Sequence, residues 1–256
     1  MTENFMATFE NIWCSLRARW CDNHNLGGAH AFSHNLVKNG FFHRIVQVSV
    51  DDDGVDRVID DALSLFQEQQ FDCMFTLSPR DRPEDFAEHL LRREFKVGIR
   101  SSAMVYDTSP DTPGVEGMVL VRVTDMGEYD IWADVMCRSF EFAAEMGEVG
   151  RLALDSPDAR CYLALVDGEP AGTTLLFSQS GMGYIDLVGT LPAHRRKSVA
   201  STLVIRAVKD SQALGNRWTS LESETGGEIE GMYQNLGFRT VYHRQRYTRP
   251  TSELSS

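Results

Sequence analysis

A cluster of basic residues lies in the stretch VGTLPAHRRKSVASTL, which covers residues 188–203. Arg195, Arg196 and Lys197 stand just before a helical pattern, although the whole chain has a formal net charge of -12. Positive charge at a helix start is unfavourable against the helix dipole, by about 0.3–1 kcal/mol per charge. An anion held by the unpaired N–H groups there would offset that cost. The stretch predicts a phosphate-type anion site, and a solvated helix start without a ligand is the alternative.

Carboxylates on two neighbouring predicted strands could accept protons. Asp186 lies in GYIDLVGTL and, by the two-residue strand period, shares a face with Tyr184 and Val188. Glu222 lies near the end of the next predicted strand. Either carboxylate could act as a base in a closed site, because desolvation shifts such groups toward neutral pKa values. Solvated edge charges are the alternative for each.

The elements around these residues follow from hydrophobic periodicity. Strands are predicted at 161–168, 171–178 and 183–191, with a hairpin turn at Asp167-Gly168-Glu169-Pro170. A helix is predicted from about Ser198 to Leu214, followed by a strand, a short helix and a last strand. This order predicts an α+β fold with a mixed central sheet flanked by helices.

The first half of the chain repeats part of this order. A strand at 44–50 is followed by a helix at 56–70, a strand at 73–79, a helix at 84–95 and a strand at 99–107. We interpret residues 1–115 as a degenerate copy of residues 118–250, with a linker at 108–117 that is rich in Pro, Gly, Ser and Thr. A further helix is expected around Phe5–Trp20.

Composition argues against several classes of protein. The acidic balance disfavours nucleic-acid binding, and the sequence contains no apolar run of membrane-spanning length. Five scattered cysteines and an N-terminus without a secretory pattern indicate a cytoplasmic protein. Cys21, His24, His30 and His34 lack a known zinc spacing, so we expect no metal. A Walker-type phosphate loop is also excluded, because the sequence has no GxxxxGK[ST].

Residues 118–250 resemble the GNAT acyltransferase superfamily, on LVGTLPAHRRKSVASTL followed by EGMYQNLGF. The family signature [RQ]-x-x-G-x-[GA] reads here as Arg195 to Ala200, with Ser198 where the first glycine would stand. The resemblance implies that main-chain groups of Val188, Gly189 and Thr190 pair with the pantetheine arm of acetyl-CoA. The turn that it implies for the pyrophosphate consists of Arg195, Arg196, Lys197, Ser198, Val199, Ala200 and Ser201.

The resemblance also implies a general acid. Tyr233 stands in YQNLGF where GNAT enzymes carry a tyrosine that protonates the departing CoA thiolate. Packing in a terminal helix is the alternative for this residue. The family often has an asparagine seven residues earlier, and Gly226 stands there in this chain. In the first half, Asp51–Asp53 take the place of the basic turn and Leu90 that of the tyrosine, so we expect that half to bind no CoA.

The resulting prediction is an N-acetyltransferase that moves an acetyl group from acetyl-CoA to a primary amine by direct attack. Tyr233 would be the acid, and Asp186 or Glu222 the base. The alternatives are a non-catalytic CoA-binding or regulatory module on the same fold, and an interaction protein whose first half docks a partner. The acceptor is left open, as is a homodimer.

Overall fold

The computed structural model describes residues 2–34, 42–107, 116–147, 151 and 155–251. Among these residues the helices and strands, in chain order, are α1 (Thr2–Arg17), β1 (Asp22–Asn25), β2 (His30–Ser33), β3 (Arg44–Val46), α2 (Val55–Glu68), β4 (Cys73–Leu77), α3 (Phe86–Arg92), β5 (Lys96–Tyr106), β6 (Met118–Arg122), α4 (Met126–Phe140), β7 (Ala159–Val166), β8 (Glu169–Gln179), β9 (Met182–Thr190), α5 (Val199–Ala213), β10 (Trp218–Glu224), α6 (Glu228–Asn235) and β11 (Phe238–Arg249).

These elements form two compact units, each discontinuous in sequence. The first takes the described residues up to Trp20 together with Ala103–Val241, and the second takes Cys21–Ser102 together with those from Tyr242 onward. The predicted domains, 1–115 and 118–250, are continuous stretches, so their boundaries differ from those of the units. Residues 108–115 of the predicted linker lie outside the described residues.

The first unit is built on a mixed sheet. Its strands follow the order β11–β5–β10–β9–β8–β7–β6, to which β5 and β11 contribute the residues that belong to this unit. The pairs from β6 to β9 are antiparallel, and β9 and β10 are parallel. The hairpin between β7 and β8 turns at Asp167 and Gly168, which both have positive φ as a tight two-residue turn requires.

Helices cover both faces of this sheet. Gly183 packs against Ser211 of α5, whereas the ring of its neighbour Tyr184 lies 5.5 Å from that of Phe9 in α1. Successive strand residues point to opposite faces, so α5 and α1 lie on opposite sides of β9. α1 buries residues at helical spacing, which explains why it folds against the sheet. These residues are Phe5, Phe9, Glu10, Ile12, Trp13, Leu16 and Arg17.

The strands of the second unit follow the order β1–β2–β3–β4–β11–β5, to which β11 and β5 contribute the residues that belong to this unit. β3 and β4 are parallel, and a 3-10 turn at Asp52–Gly54 followed by α2 connects them. Asp51 accepts a hydrogen bond from the Gly54 N–H and so caps this turn. The core beneath α2 and α3 is aromatic and includes Phe66, Phe75, Phe86 and Phe95.

Most predicted elements are found close to their expected positions. The exception is the strand expected at 44–50, where β3 covers only Arg44–Val46. Gln47 has a φ of 55°, which interrupts the extended backbone, and Ser49 forms an isolated bridge with Arg82. In the described part of the chain, no helix combines the length and apolar character needed to cross a membrane.

Candidate active site

β9 and β10 separate halfway along their length. Their ladder runs from the pair Met182 and Trp218 to the pair Ile185 and Leu221, and there its register ends. β9 continues to Thr190 in register with β8 only, and β10 continues to Glu224. The carboxyl ends of two parallel strands therefore open into a gap, and Asp186 and Glu222 are the first residues beyond the ladder on each side.

A β-bulge shapes the β9 side of this gap. Leu175 pairs with Asp186 and Thr173 pairs with Gly189, so Thr174 alone faces two residues of β9. Leu187, one of those two, has a φ of 51°. The hydroxyls of Thr173 and Thr174 donate to the carbonyls of Leu187 (3.2 Å) and Asp186 (3.3 Å). Hydrogen bonds from β8 thus stabilise the bulge, and a bulge of this kind changes the direction of the strand that contains it.

Asp186 connects this bulge to α1. One carboxylate oxygen accepts a hydrogen bond from the Leu187 N–H at 2.8 Å. The other lies 3.0 Å from the Arg17 guanidinium, and the two side chains are 14% and 3% exposed respectively. The carboxylate of the predicted base therefore already accepts from two donors, the Leu187 N–H and the Arg17 guanidinium. Arg17 belongs to α1, a helix for which the sequence indicated no role in the site.

The basic turn follows β9 directly. A 3-10 turn at Pro192–His194 leads into Arg195, Arg196, Lys197 and Ser198, all of them exposed, and then into α5. The Arg195 guanidinium donates to the carbonyls of Thr190 (3.2 Å) and Ser139 (3.4 Å). Arg195 thus fastens the turn to the end of β9 and to the last turn of α4. The Thr190 carbonyl, predicted to meet pantetheine, accepts this hydrogen bond.

A row of N–H groups lies at the start of α5. The first helical hydrogen bond runs from the Thr202 N–H to the Ser198 carbonyl at 3.0 Å. Within the described residues, the backbone N–H groups of residues 196–201 have no backbone acceptor. Arg196 and Ser198 have φ values of 62° and 58°, and this left-handed conformation turns the chain into the helix. Ser198 therefore adopts the conformation for which glycine is the usual residue.

Tyr233 is buried in α6, and its ring lies edge-on to that of Phe238 with centroids 5.9 Å apart. Burial raises the pKa of its hydroxyl above the usual range, and the charge of Asp186 raises that pKa further. The structure therefore brings Tyr233 and Asp186 within electrostatic reach. Glu230 fixes the start of α6, because its carboxylate accepts hydrogen bonds from the Gly226 N–H and the Thr240 hydroxyl.

A cavity of about 370 Å³ in the first unit lies elsewhere, at the amino end of β10. It is lined by residues such as Phe5, Tyr106, Arg217, Trp218 and Arg239, and by none of the predicted site residues. Cavity size and predicted chemistry thus point to different ends of β10. We place the candidate site at the carboxyl end, because the basic turn and its unpaired N–H groups follow β9 there, and Asp186 and Glu222 lie just beyond the ladder.

The next feature is the distribution of metal-binding side chains and cysteines. In the part of the chain that the structure describes, no group of three or more His, Cys, Asp and Glu is placed to hold a metal ion. Cys14 is half-buried, and the other cysteines are buried. Burial raises the pKa of the Cys161 thiol to about 12, so it stays protonated at neutral pH.

A sequence profile of the Acetyltransferase (GNAT) family matches residues 129–238. The chain carries a GNAT domain. The match runs from α4 to the first residue of β11, and it includes the basic turn, both carboxylates and Tyr233. Membership of this domain in the family supports an acyl-CoA-dependent N-acyltransferase activity. A search of curated proteins found no match to the chain.

Solved structures confirm the GNAT fold. A GCN5-related N-acetyltransferase from Kribbella flavida aligns with a TM-score of 0.74 at 17% identity, covering 95% of both chains. A GCN5-related N-acetyltransferase from Sphaerobacter thermophilus aligns at 0.67 and 14%, covering 88% of this chain and 77% of that one. A tandem GNAT protein from the clavulanic acid biosynthesis pathway aligns at 0.62 and 15%, covering 87% and 78%.

Sequence reasoning missed two features, the bulge of β9 within the GNAT domain and Arg17 of α1 outside it. The bulge at Leu187 lies in a continuous β-rich run and has no glycine or proline to mark it. Arg17 lies on the apolar face of α1, four residues after Trp13. A charged residue at a buried helical position is a signal that could have drawn attention to it.

Proposed function

We propose that the protein transfers an acetyl group from acetyl-CoA to a primary amine by direct attack. The observation that carries this proposal is the row of unpaired N–H groups at residues 196–201, which follows β9 beyond the point where its ladder with β10 ends. Such a row binds a phosphate group through backbone donors and the helix dipole.

The chain's own residues would hold the donor in two places. The N–H groups of residues 196–201 would bind the pyrophosphate, with Arg196 and Lys197 supplying positive charge. Val188, Gly189 and Thr190 lie beyond the end of the ladder with β10, and their main-chain groups would pair with the pantetheine arm as an added strand would. Arg195 would act mainly by fixing the turn, because its guanidinium already contacts two carbonyls.

The chemistry would depend on placement and on two proton transfers. Holding the amine against the thioester makes the attack effectively unimolecular. Tyr233 would donate its proton to the departing thiolate, and its raised pKa keeps the hydroxyl protonated at neutral pH. A carboxylate, Asp186 or Glu222, would accept the proton of the amine. For direct acceptance, Asp186 would first have to give up part of its ion pair with Arg17.

We also propose that the first half of the chain derives from a second, degenerate GNAT copy. In support of this, the sequence of elements β3, 3-10 turn, α2, β4, α3 repeats that of β9, 3-10 turn, α5, β10, α6. Both sets contain a parallel strand pair. Asp51–Asp53 occupy the turn of the first set, and three carboxylates there would repel a pyrophosphate. CoA binding is therefore proposed for the second set alone.

The first test replaces Tyr233 by phenylalanine. We expect kcat for CoA release to fall about 10²–10³-fold, because the transition state loses its proton donor, while the Kd for CoA changes little. Tyr106→Phe is the matched control, because its ring also packs edge-on to Phe238 and lies outside the proposed site. For the wild type, a raised Tyr233 pKa predicts that kcat shows no loss from this group up to about pH 10.

The measurement is thiol release from acetyl-CoA with a panel of primary amines, with calorimetry for CoA binding. Charge reversal at Arg195, Arg196 and Lys197 should abolish binding in the same experiment. If Tyr233→Phe retains the wild-type kcat, Tyr233 is not the acid. Acetyl-CoA binding without turnover by the wild type would favour the non-catalytic module, for which the strained Ser198 in place of glycine is the favouring observation.

A further inference from the structure

Arg17 is an unusual residue for the place that it occupies. It lies in the last turn of α1, its side chain is 3% exposed, and the other buried residues of that helix are apolar except for Glu10. Its guanidinium carbon lies 5.0 Å from the Trp13 ring centroid and 4.8 Å from that of Trp20. The two rings restrict where the guanidinium can go, so it meets Asp186 in a fixed geometry.

Stability alone gives no reason for this ion pair. Removing two charges from water costs several kcal/mol per ion, and well-packed apolar residues of similar volume often stabilise a protein as well or better. An apolar side chain at position 17 would continue the buried face that Phe9, Ile12, Trp13 and Leu16 begin. The pair instead fixes a direction, because a carboxylate that is held at one oxygen presents the other at a defined point.

The second carboxylate oxygen of Asp186 makes a hydrogen bond to the β9 backbone. It accepts the N–H of Leu187, the residue with φ of 51° in the bulge of β9. A continuous set of contacts therefore runs from Arg17 through Asp186 to the bulge, and the bulge sets the direction in which Val188, Gly189 and Thr190 leave the ladder with β10.

We propose that Arg17 is a positioning residue for the pantetheine arm of acyl-CoA, acting through Asp186 on the β9 bulge. The inference rests on the proposed function, since it assigns a residue to the same site. It makes α1 part of the donor-binding apparatus, although α1 lies more than 100 residues before the GNAT domain in sequence. The residue acts on the pantetheine half of the donor and leaves the pyrophosphate turn unaffected.

That division provides the test. Calorimetry compares the Kd of CoA with the Kd of 3′-phosphoadenosine 5′-diphosphate. This nucleotide has the pyrophosphate of CoA and lacks its pantetheine arm. In Arg17→Met we expect the Kd for CoA to rise about tenfold, as for the loss of one or two backbone hydrogen bonds, and the Kd for the nucleotide to stay within about twofold. Arg17→Lys should recover most of the CoA affinity, because it keeps the charge beside Asp186.

Arg19→Met is the matched control, because it removes an exposed ion pair with Asp158 from the segment just after α1. Equal CoA affinity in Arg17→Met and the wild type would overturn the inference, as would equal losses for both ligands. If Arg17→Met does not fold, the double variant Arg17→Met/Asp186→Asn is compared with the single variant Asp186→Asn. A further loss of CoA affinity in the double variant would overturn the inference, because Arg17 would then act without Asp186. A wild type that binds neither ligand would instead refute the proposed function.

Discussion

Ser198 combines a left-handed backbone with a side chain that disfavours it. Its φ and ψ are 58° and 16°, it occupies the N-cap position of α5, and its hydroxyl makes no capping hydrogen bond there. A non-glycine residue in this region costs about 1–2 kcal/mol in the general case. Ser198 thus destabilises the turn while leaving the backbone N–H in place for an anion.

We predict that Ser198→Gly stabilises the protein. The free energy of unfolding should rise by about 0.5–1 kcal/mol, because glycine adopts positive φ without a steric cost and part of the gain is lost to its greater freedom in the unfolded chain. Urea unfolding measures this change. Ser201→Gly, the same substitution three residues later inside α5, should lower stability by roughly 0.5 kcal/mol. A loss of stability in both variants would contradict the strain assigned to Ser198.

At the scale of single residues, the sequence indicated side chains that lie next to a recognisable pattern. Arg195–Lys197 and Tyr233 stand in two motifs, the first in the turn after β9 and the second in the helix after β10. Arg17 could not be found in this way. Its partner Asp186 is 169 residues away, so no local period connects the two, and only the folded chain shows the contact.

At the scale of elements, α5 lies very close to the sheet. A Cβ on Gly172 of β8 would stand 2.7 Å from Val199 Cγ1 and 2.8 Å from the Gly189 carbonyl oxygen. Neither neighbour can move without displacing either the start of α5 or the end of β9. This close approach holds the basic turn against the strand that it follows.

We predict that Gly172→Ala destabilises the protein by about 1–3 kcal/mol, because the new methyl group overpacks this contact. Gly231→Ala is the matched control, since a Cβ there meets nothing within 4 Å and the residue lies inside α6. That variant should gain up to about 1 kcal/mol from helix propensity. Thermal unfolding of both variants gives the comparison. Equal and small effects of the two substitutions would show that α5 can move aside.

The elements themselves were largely predictable, because each depends on a period that is local in sequence. β7, β8, β9 and α5 lie within a few residues of their expected bounds. The β9 bulge was not predictable, since its cause is the register with β8 and the contact with Asp186 rather than the composition of the strand. Pairing between strands is a property of the sheet, and a single strand's sequence reports it weakly.

At the scale of the whole molecule, the first unit contains residues from both sides of the domain boundary that the sequence predicted. α1 buries Phe5, Phe9, Ile12, Trp13 and Leu16, and the last residues of β5 belong to the same unit. A linear reading of the linker at 108–117 could not show this, because it assumes that neighbours in sequence fold together.

We therefore predict that residues 118–250 expressed alone do not unfold cooperatively. Each large apolar side chain that loses its partner removes roughly 1.5–3 kcal/mol, and the sum of several exceeds the stability of a typical domain. A matched variant that joins residues 1–20 to residues 103–241 through a glycine–serine linker should show a cooperative thermal transition. Circular dichroism during heating distinguishes them. Comparable transitions in both would show that α1 is dispensable.

The strand β11 contributes residues to both units, Phe238–Val241 to the first and Tyr242–Arg249 to the second. During synthesis on the ribosome, neither unit can be completed until this strand has emerged from the exit tunnel. Until then β4 and β5 lack the partner strand that lies between them, in contrast to the domain-by-domain order common among multidomain proteins. The two units are therefore expected to complete their folding together, once the strand that they share is available.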